Sequence, residues 1–256
     1  SKAHGVVLVT GPTGSGKTTT LYASLNKIYT PSQKIITIED PVEYQLDGII
    51  QMPVNPRRGL TFSMGLRHIV RQDPDIIMVG EVRDLEAARI SIQSALTGHL
   101  VFSTMHTNDS AGAVTRLLDL GIESYLASSS LIAVVAQRLI RMVCPECGVE
   151  YEPEEAVIRN LGLDPREHAG RTFRRGTGCD GCIGRGYVGR TGIFEILVVD
   201  DEIRRLIKEQ ATAGEIKNVA AGRPTFTTLR MDGARKVLDG VTTAEEVLKV
   251  TQMDLF

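Results

Sequence analysis

Eight residues, Gly11-Pro12-Thr13-Gly14-Ser15-Gly16-Lys17-Thr18, constrain this chain more than any other stretch. They fit G-x-x-x-x-G-K-[ST], the phosphate-binding loop, and the spacing has a physical basis. Gly11, Gly14 and Gly16 lack Cβ, so the backbone can curl and turn its N–H groups inward as an anion nest. The loop then enters a helix, whose free N–H groups and dipole favour negative charge. Lys17 reaches toward the β and γ phosphates of a nucleotide, and the Thr18 hydroxyl is a ligand for Mg²⁺. The flanks agree with this reading. Val6-Val7-Leu8-Val9 is a short apolar run suited to a buried parallel strand. Thr19 to Leu25 can form a helix with Leu21 and Leu25 on one face. An ordinary Gly-rich turn would not require strand, loop, Lys-Thr pair and helix in this order.

The remaining composition narrows the function class. The 256 residues are 42% hydrophobic and 23% charged, a globular mixture sufficient for one large or two modest domains. A net charge of −2, no Trp and 5% aromatic residues speak against a nucleic-acid surface or a base-stacking platform. No apolar run approaches the ~20 residues of a membrane-spanning helix, and no signal peptide is visible, so a cytosolic location is expected. The chain opens at the strand that feeds the loop, which leads us to expect a piece of a longer protein with a preceding domain.

Beyond the loop, acids recur where strands end. Lys34 to Asp40 reads as a strand closed by Pro41, which puts Glu39, Asp40 and Glu43 at a strand exit, the edge where open α/β sheets bind ligands. Residues 45–63, broken by Pro53, Pro56 and Gly59, read as turns or a hairpin. Met64, Leu66, Ile69 and Val70 carry a helical pattern, with Arg67 and Arg71 four apart on one face. Ile76 to Val79 is a third buried strand, followed by Gly80-Glu81-Val82-Arg83-Asp84. This resembles the second acidic motif of phosphate-loop ATPases, except that Gly80 stands where an Asp usually anchors Mg²⁺, leaving Glu81 as the carboxylate there. Leu85 to Leu96 is a helix rich in small residues, stopped at Gly98. His99 to His106 is a fourth strand with a His at each end; His106, at the ligand edge, is the candidate γ-phosphate contact and His99 is structural. Residues 111–120 and 124–143 are predicted helical, the second largely buried because it is apolar around most of its circumference.

The character changes at Cys144-Pro145-Glu146-Cys147. With Cys179-Asp180-Gly181-Cys182 it makes two C-x-x-C turns separated by 31 residues, among which residues 151–162 read as a short helix. Each turn presents two thiolates, and two turns complete the tetrahedral Cys₄ shell that zinc prefers. A redox-active pair is the alternative reading. Four thiolates leave no open position for substrate, so the role of such a zinc ion is structural. After it, residues 191–197 read as a strand, residues 200–210 as a helix, and residues 219–256 as further short helices.

In order, the phosphate loop, the stretch Thr37-Ile38-Glu39-Asp40-Pro41-Val42-Glu43, the run from Arg71 through Gly80-Glu81-Val82-Arg83-Asp84, and Thr97-Gly98-His99 through Ser103-Thr104-Met105-His106-Thr107-Asn108 resemble four boxes of one family. They are similar to the Walker A, Asp, Walker B and His boxes of the type II secretion and type IV pilus assembly ATPases, over essentially the whole chain. The tetracysteine element is similar to that of the secretion ATPases and of many pilus-extension ATPases; retraction ATPases resemble the chain only up to about residue 143. The resemblance also accounts for Gly80, since the family uses Glu alone there.

The resemblance implies an α/β fold: a RecA-like P-loop NTPase core (1–143), a small Cys₄ zinc-binding subdomain (144–190) and a mainly helical C-terminal region (191–256). It implies ATP hydrolysis in a homohexamer, with Mg²⁺ and Zn²⁺ as metals and the platform proteins of the inner membrane as partners, at the cytoplasmic face. The nucleotide-binding set is Gly11, Pro12, Thr13, Gly14, Ser15, Gly16, Lys17, Thr18 and Thr19. Glu81 is expected to orient Mg²⁺ through water, and Glu43, or alternatively Glu39, to polarise the attacking water. His106 is expected to sense the γ phosphate. Arg67 and Arg71 are either arginine fingers toward a neighbouring subunit or an exposed amphipathic face; the resemblance favours fingers. Secretion is favoured over pilus extension, while a RecA-like nucleic-acid translocase and a zinc-stabilised module that holds nucleotide without hydrolysing it are the more distant readings.

Overall fold

The computed structural model describes residues 4–252. In chain order these give β1 (Gly5–Thr10), α1 (Lys17–Ile28), β2 (Ile35–Glu39), β3 (Ile50–Pro53), α2 (Phe62–Ile69), β4 (Ile76–Val79), α3 (Leu85–Leu96), β5 (Leu100–Met105), α4 (Ser110–Asp119), α5 (Ser124–Ser130) and β6 (Leu131–Val143). There follow β7 (Gly148–Tyr151), α6 (Glu155–Asn160), β8 (Phe173–Gly176), β9 (Tyr187–Val198), α7 (Asp201–Lys208), α8 (Ala213–Ala221), α9 (Leu229–Leu238) and α10 (Ala244–Val250). Strand order in the larger sheet is β3-β2-β4-β5-β1-β6-β9. The chain divides into two compact units, residues 4–136 with 196–226 and residues 137–195 with 227–252.

In the first unit, β1, β2, β4 and β5 are parallel, so their C-terminal ends share one edge. Their apolar runs are buried on both faces, and the residues alternate between two apolar layers as the strand period requires. Val6, Leu8, Ile36, Ile38, Ile77 and Val79 lie in the layer built with α2, α3 and α4. Val9, Ile35, Ile76, Met78 and Phe102 lie in the other, with Leu21, Tyr22 and Leu25 of α1. Helix starts are fixed by side-chain caps: Asp84 accepts from the Ala87 N–H at 2.8 Å and Asp109 from the Gly112 N–H at 2.7 Å.

Three local expectations are corrected. The run 124–143 is helical only as far as Ser130; from Leu131 it is the strand β6, parallel to β1. An apolar run without helical periodicity fits a buried strand equally well, and Ile132, Val134 and Val135 are β-branched. Residues 45–63 include β3, parallel to β2, rather than a hairpin alone; Pro53 is tolerated because β3 is the edge strand. Between the cysteine pairs, the helix is limited to Glu155–Asn160, since Gly148–Tyr151 pairs antiparallel with β8.

The second unit holds the β7–β8 ribbon, α6, α9 and α10. Arg141 links its parts: its Nη2 donates to Glu246 Oε1 at 2.6 Å, its guanidinium lies 4.1 Å from the Tyr187 ring centroid, and the Tyr187 hydroxyl meets Thr243 Oγ1 at 3.0 Å. Arg230, nearly buried, donates to the carbonyls of Asn160 and Thr251.

Candidate functional site

The phosphate loop leaves the C-terminal end of β1 and enters α1 as expected. Gly14 has φ 75° and Gly16 φ 86°, left-handed values that L side chains rarely adopt, so the two glycines are required by the backbone path. Lys17 Nζ donates to the carbonyls of Gly11 (2.8 Å) and Pro12 (3.1 Å), which fixes the ammonium at the loop. Thr18 is half-buried, Thr19 and Thr13 are exposed, and the Ser15 hydroxyl is buried with no hydrogen-bond partner. An unpaired buried hydroxyl is costly. Beside a lysine and a curled run of N–H groups it fits a phosphate oxygen.

Two further strands bring their residues to the same edge. Glu81, beyond β4, is held from two sides: His106 Nε2 lies 3.0 Å from its Oε1, and Arg83 Nε donates to its Oε2 at 2.6 Å. Gly80 has a steric reason as well as the family one. A Cβ there would come within 3.2 Å of the Ile38 carbonyl and 3.3 Å of Glu39 Cα, on the neighbouring β2. The turn after β5, which carries His106, is tied to β1 by adjacent threonines. The Thr107 N–H donates to Thr10 Oγ1 at 2.9 Å, and the two hydroxyls are 2.7 Å apart.

Glu39 and Glu43, alternatives on sequence grounds, have different surroundings. Glu39 is only 2% exposed. Its carboxylate accepts from the Tyr22 and Thr37 hydroxyls and from Gln51 Nε2 at 3.1 Å. Glu43 is exposed, and its backbone N–H donates to Tyr22 Oη at 3.3 Å. Arg67 sits on α2 and pairs with Glu86 on α3. Arg71 lies beyond the end of α2, not on its face, and its N–H donates to the His68 carbonyl at 3.1 Å. Sequence reasoning passed over Arg83, Tyr22 and Gln51. Arg83 was visible as a base two residues from Glu81, whereas nothing local marks Gln51, which meets Glu39 only through the β2–β3 pairing.

In the second unit the four cysteines converge, all sulfurs lying within 4.8 Å of one another. Cys144 and Cys179 are 3.8 Å apart, Cys147 and Cys182 3.8 Å, and Cys179 and Cys182 3.7 Å. A tetrahedron with metal–sulfur bonds of about 2.3 Å has edges of about 3.8 Å, so the set fits a zinc ion. Backbone N–H groups of Gly178 and Gly186 donate to Cys147 and Cys182 sulfur at 3.2 and 3.1 Å. The N–H of Cys179, ahead of that of Gly186, holds the Cys182 thiol below its usual value, while burial and the neighbouring sulfurs push the Cys179 thiol up, so the four sulfurs share their protons unevenly. Gly176 and Gly186 permit this convergence: a Cβ on Gly176 would sit 2.0 Å from the Gly186 carbonyl oxygen.

The model of the family "Type II/IV secretion system protein" matches residues 1–249. A type II secretion system protein E of Pseudomonas aeruginosa is 54% identical over 98% of the chain and 49% of its own length. A type IV pilus assembly ATPase, PilB of Thermus thermophilus, is 53% identical over 98% of the chain and 28% of its own length. The chain thus spans about half the length, or less, of the curated relatives it matches. Among solved structures, the pilus retraction motor PilT with bound ADP is 28% identical, with a TM-score of 0.71 over 97% of this chain and 61% of its own. The likeness in fold to a retraction motor therefore does not stop near residue 143, since it covers 97% of the chain. By its family match and its fold, the chain belongs to the type II/IV secretion system protein family.

Proposed function

We propose that the chain hydrolyses ATP as the motor part of a type II secretion ATPase, acting in a homohexamer on platform proteins of the inner membrane. The observation that carries this reading is the convergence on one sheet edge of the phosphate loop with Glu43, Glu81 and His106. Phosphoryl transfer needs little covalent help from protein; positioning and charge stabilisation dominate. Lys17 and the loop amides hold the β and γ phosphates, and the Ser15 hydroxyl adds a donor. Thr18, with Glu81 through water, would hold Mg²⁺, which neutralises charge on the phosphates when bound. Glu43 polarises the attacking water; its exposure favours it over Glu39, whose carboxylate is already engaged by three donors. His106 contacts the γ phosphate and shares Glu81 with Arg83.

Arg71 acts as a finger toward the nucleotide of a neighbouring subunit, and Arg67 joins it only by releasing Glu86. Cys144, Cys147, Cys179 and Cys182 would hold one structural zinc ion. Pilus extension is the second reading, favoured by the near-equal identity of the Thermus relative. Capture of a secretion or a pilus platform protein by the full-length protein separates the two. Glu43→Gln keeps shape and removes charge. It should retain ATP binding while turnover falls about a hundredfold or more. The same behaviour in Glu39→Gln, with Glu43→Gln unaffected, would exchange the two roles.

A further inference from the structure

The buried carboxylate of Glu39 takes no part in the chemistry above, yet it is among the most completely satisfied groups near the site. Its partner, the Tyr22 hydroxyl, lies on α1 one turn beyond Lys17 and Thr18, and Tyr22 is fully buried. A tyrosine hydroxyl has one proton to give and two lone pairs to fill. Here all three are used. Tyr22 donates to Glu39 Oε2, accepts from the backbone N–H of Glu43 at 3.3 Å, and accepts from Gln51 Nε2 at 3.2 Å. Burial, then the hydrogen bond to Glu39, raises the Tyr22 hydroxyl far above its usual value, which keeps its proton in place as a donor.

Gln51 extends the arrangement along the acid turn. Its Oε1 accepts from the Leu46 N–H at 2.7 Å, and its two Nε2 protons are shared among three acceptors, Tyr22 Oη, the Tyr44 carbonyl at 3.2 Å and Glu39 Oε1 at 3.1 Å. The Tyr44 ring stands edge-on to Tyr22, centroids 4.7 Å apart. One hydroxyl on the phosphate-loop helix thus holds the residues on either side of the turn that presents Glu43. The groups it joins come from α1, from the end of β2, from the 40–46 turn and from the edge strand β3.

We infer that Tyr22, with Glu39 and Gln51 behind it, is a positioning residue that sets Glu43 relative to the nucleotide held by the phosphate loop. The inference rests on Glu43 being the base. Tyr22 touches no substrate. It acts through the Glu43 main chain, and because it stands on the helix that begins at Lys17, it references the base to the phosphates themselves. Glu39 orients the Tyr22 proton and so leaves both lone pairs turned toward Glu43 and Gln51. Misplacing a reacting group by about 1 Å can cost about a hundredfold in rate. Binding of ATP depends on the loop and is left alone.

The test is a double-mutant cycle in the full-length assembled protein, reading ATP turnover, KM for ATP and amide exchange of the 40–46 segment. Tyr22→Phe should lower kcat about ten- to hundredfold with little change in KM, and should speed exchange at the Glu43 amide. In a Glu43→Gln background, Tyr22→Phe should lower kcat no further, because the group it positions is already gone. Gln51→Leu, which leaves the Tyr22–Glu39 bond intact, should give a smaller loss with the same non-additivity; it carries the test if Tyr22→Phe fails to fold. Losses that multiply in the double variants, or a rise in KM that accounts for the whole effect, would overturn the inference. A Glu43→Gln protein with normal turnover would instead overturn the assignment of the base, a result distinguishable because it needs no change at Tyr22.

Discussion

Replacing Cys144 by Ser removes one of four converging sulfurs, and the consequence can be worked from the residues the site supports. Among the described residues 148–178, only Ile158, Leu161 and Phe173 are buried large apolar side chains. At about 1.5–3 kcal/mol each they contribute about 5–9 kcal/mol. A structural zinc ion contributes about 10–16 kcal/mol of apparent binding free energy near neutral pH. The ion is therefore the larger of the two stabilising effects in this segment, and three thiolates with a hydroxyl retain it poorly. The two apolar layers on either side of the first unit's strands contain no residue from 144–190, so that unit keeps its own core. Cys144→Ser should lose zinc and become protease-sensitive between about residues 148 and 178, yet still bind a fluorescent ATP analogue. Elemental analysis, limited proteolysis with mass spectrometry, and nucleotide titration read these outcomes. The reasoning is refuted if freshly purified, reduced wild-type protein contains no zinc, or if the variant loses nucleotide binding as completely as a phosphate-loop variant.

Two further predictions concern charged side chains. Arg141 beside Glu246, opposed by burial, holds that carboxyl below its usual value. Its stabilising contribution is thus full above the unfolded-state value and is lost as pH falls through the lower folded-state value. Glu246→Gln should cost about 1–2 kcal/mol near neutral pH and nothing further in acid, as urea melts at several pH values will read. Across a subunit boundary, Arg71→Ala protomers mixed with Lys17→Ala protomers should recover part of the lost ATP turnover, since each supplies what its neighbour lacks. No recovery at any ratio, with co-assembly proven, would count against a finger acting between subunits.

Much of this architecture was readable because local signals and global fold agree. Leu85 to Leu96 carries its cap, its small-residue face and its stop within the sequence, and its ends were placed correctly. The phosphate loop is a purely local device, and it lies where its motif put it. The run after Ser130 is ambiguous for a physical reason: a strand buried on both faces and a buried helix are both apolar all round, so periodicity cannot separate them. β3 was hidden for the opposite reason, since Ile50 to Pro53 is a short and partly exposed edge strand that pairs in parallel with β2 and so has no hairpin turn to mark it. At the site, single residues that occupy motif positions were legible, but their sharing was not. That Arg83 and His106 grip one carboxylate, or that Tyr22 joins Glu39 to the Glu43 main chain, depends on contacts between strands and helices that no spacing encodes.

The most direct test of the account is ATP turnover and nucleotide affinity of Lys17→Ala beside wild type in the full-length protein. Lys17 is the one cation of the phosphate-loop motif, and its removal takes away charge that no neighbouring group of the loop replaces. Hydrolysis should be abolished and nucleotide binding weakened, while the zinc content and the melting of the second unit are unchanged. Near-normal turnover in that variant would contradict it.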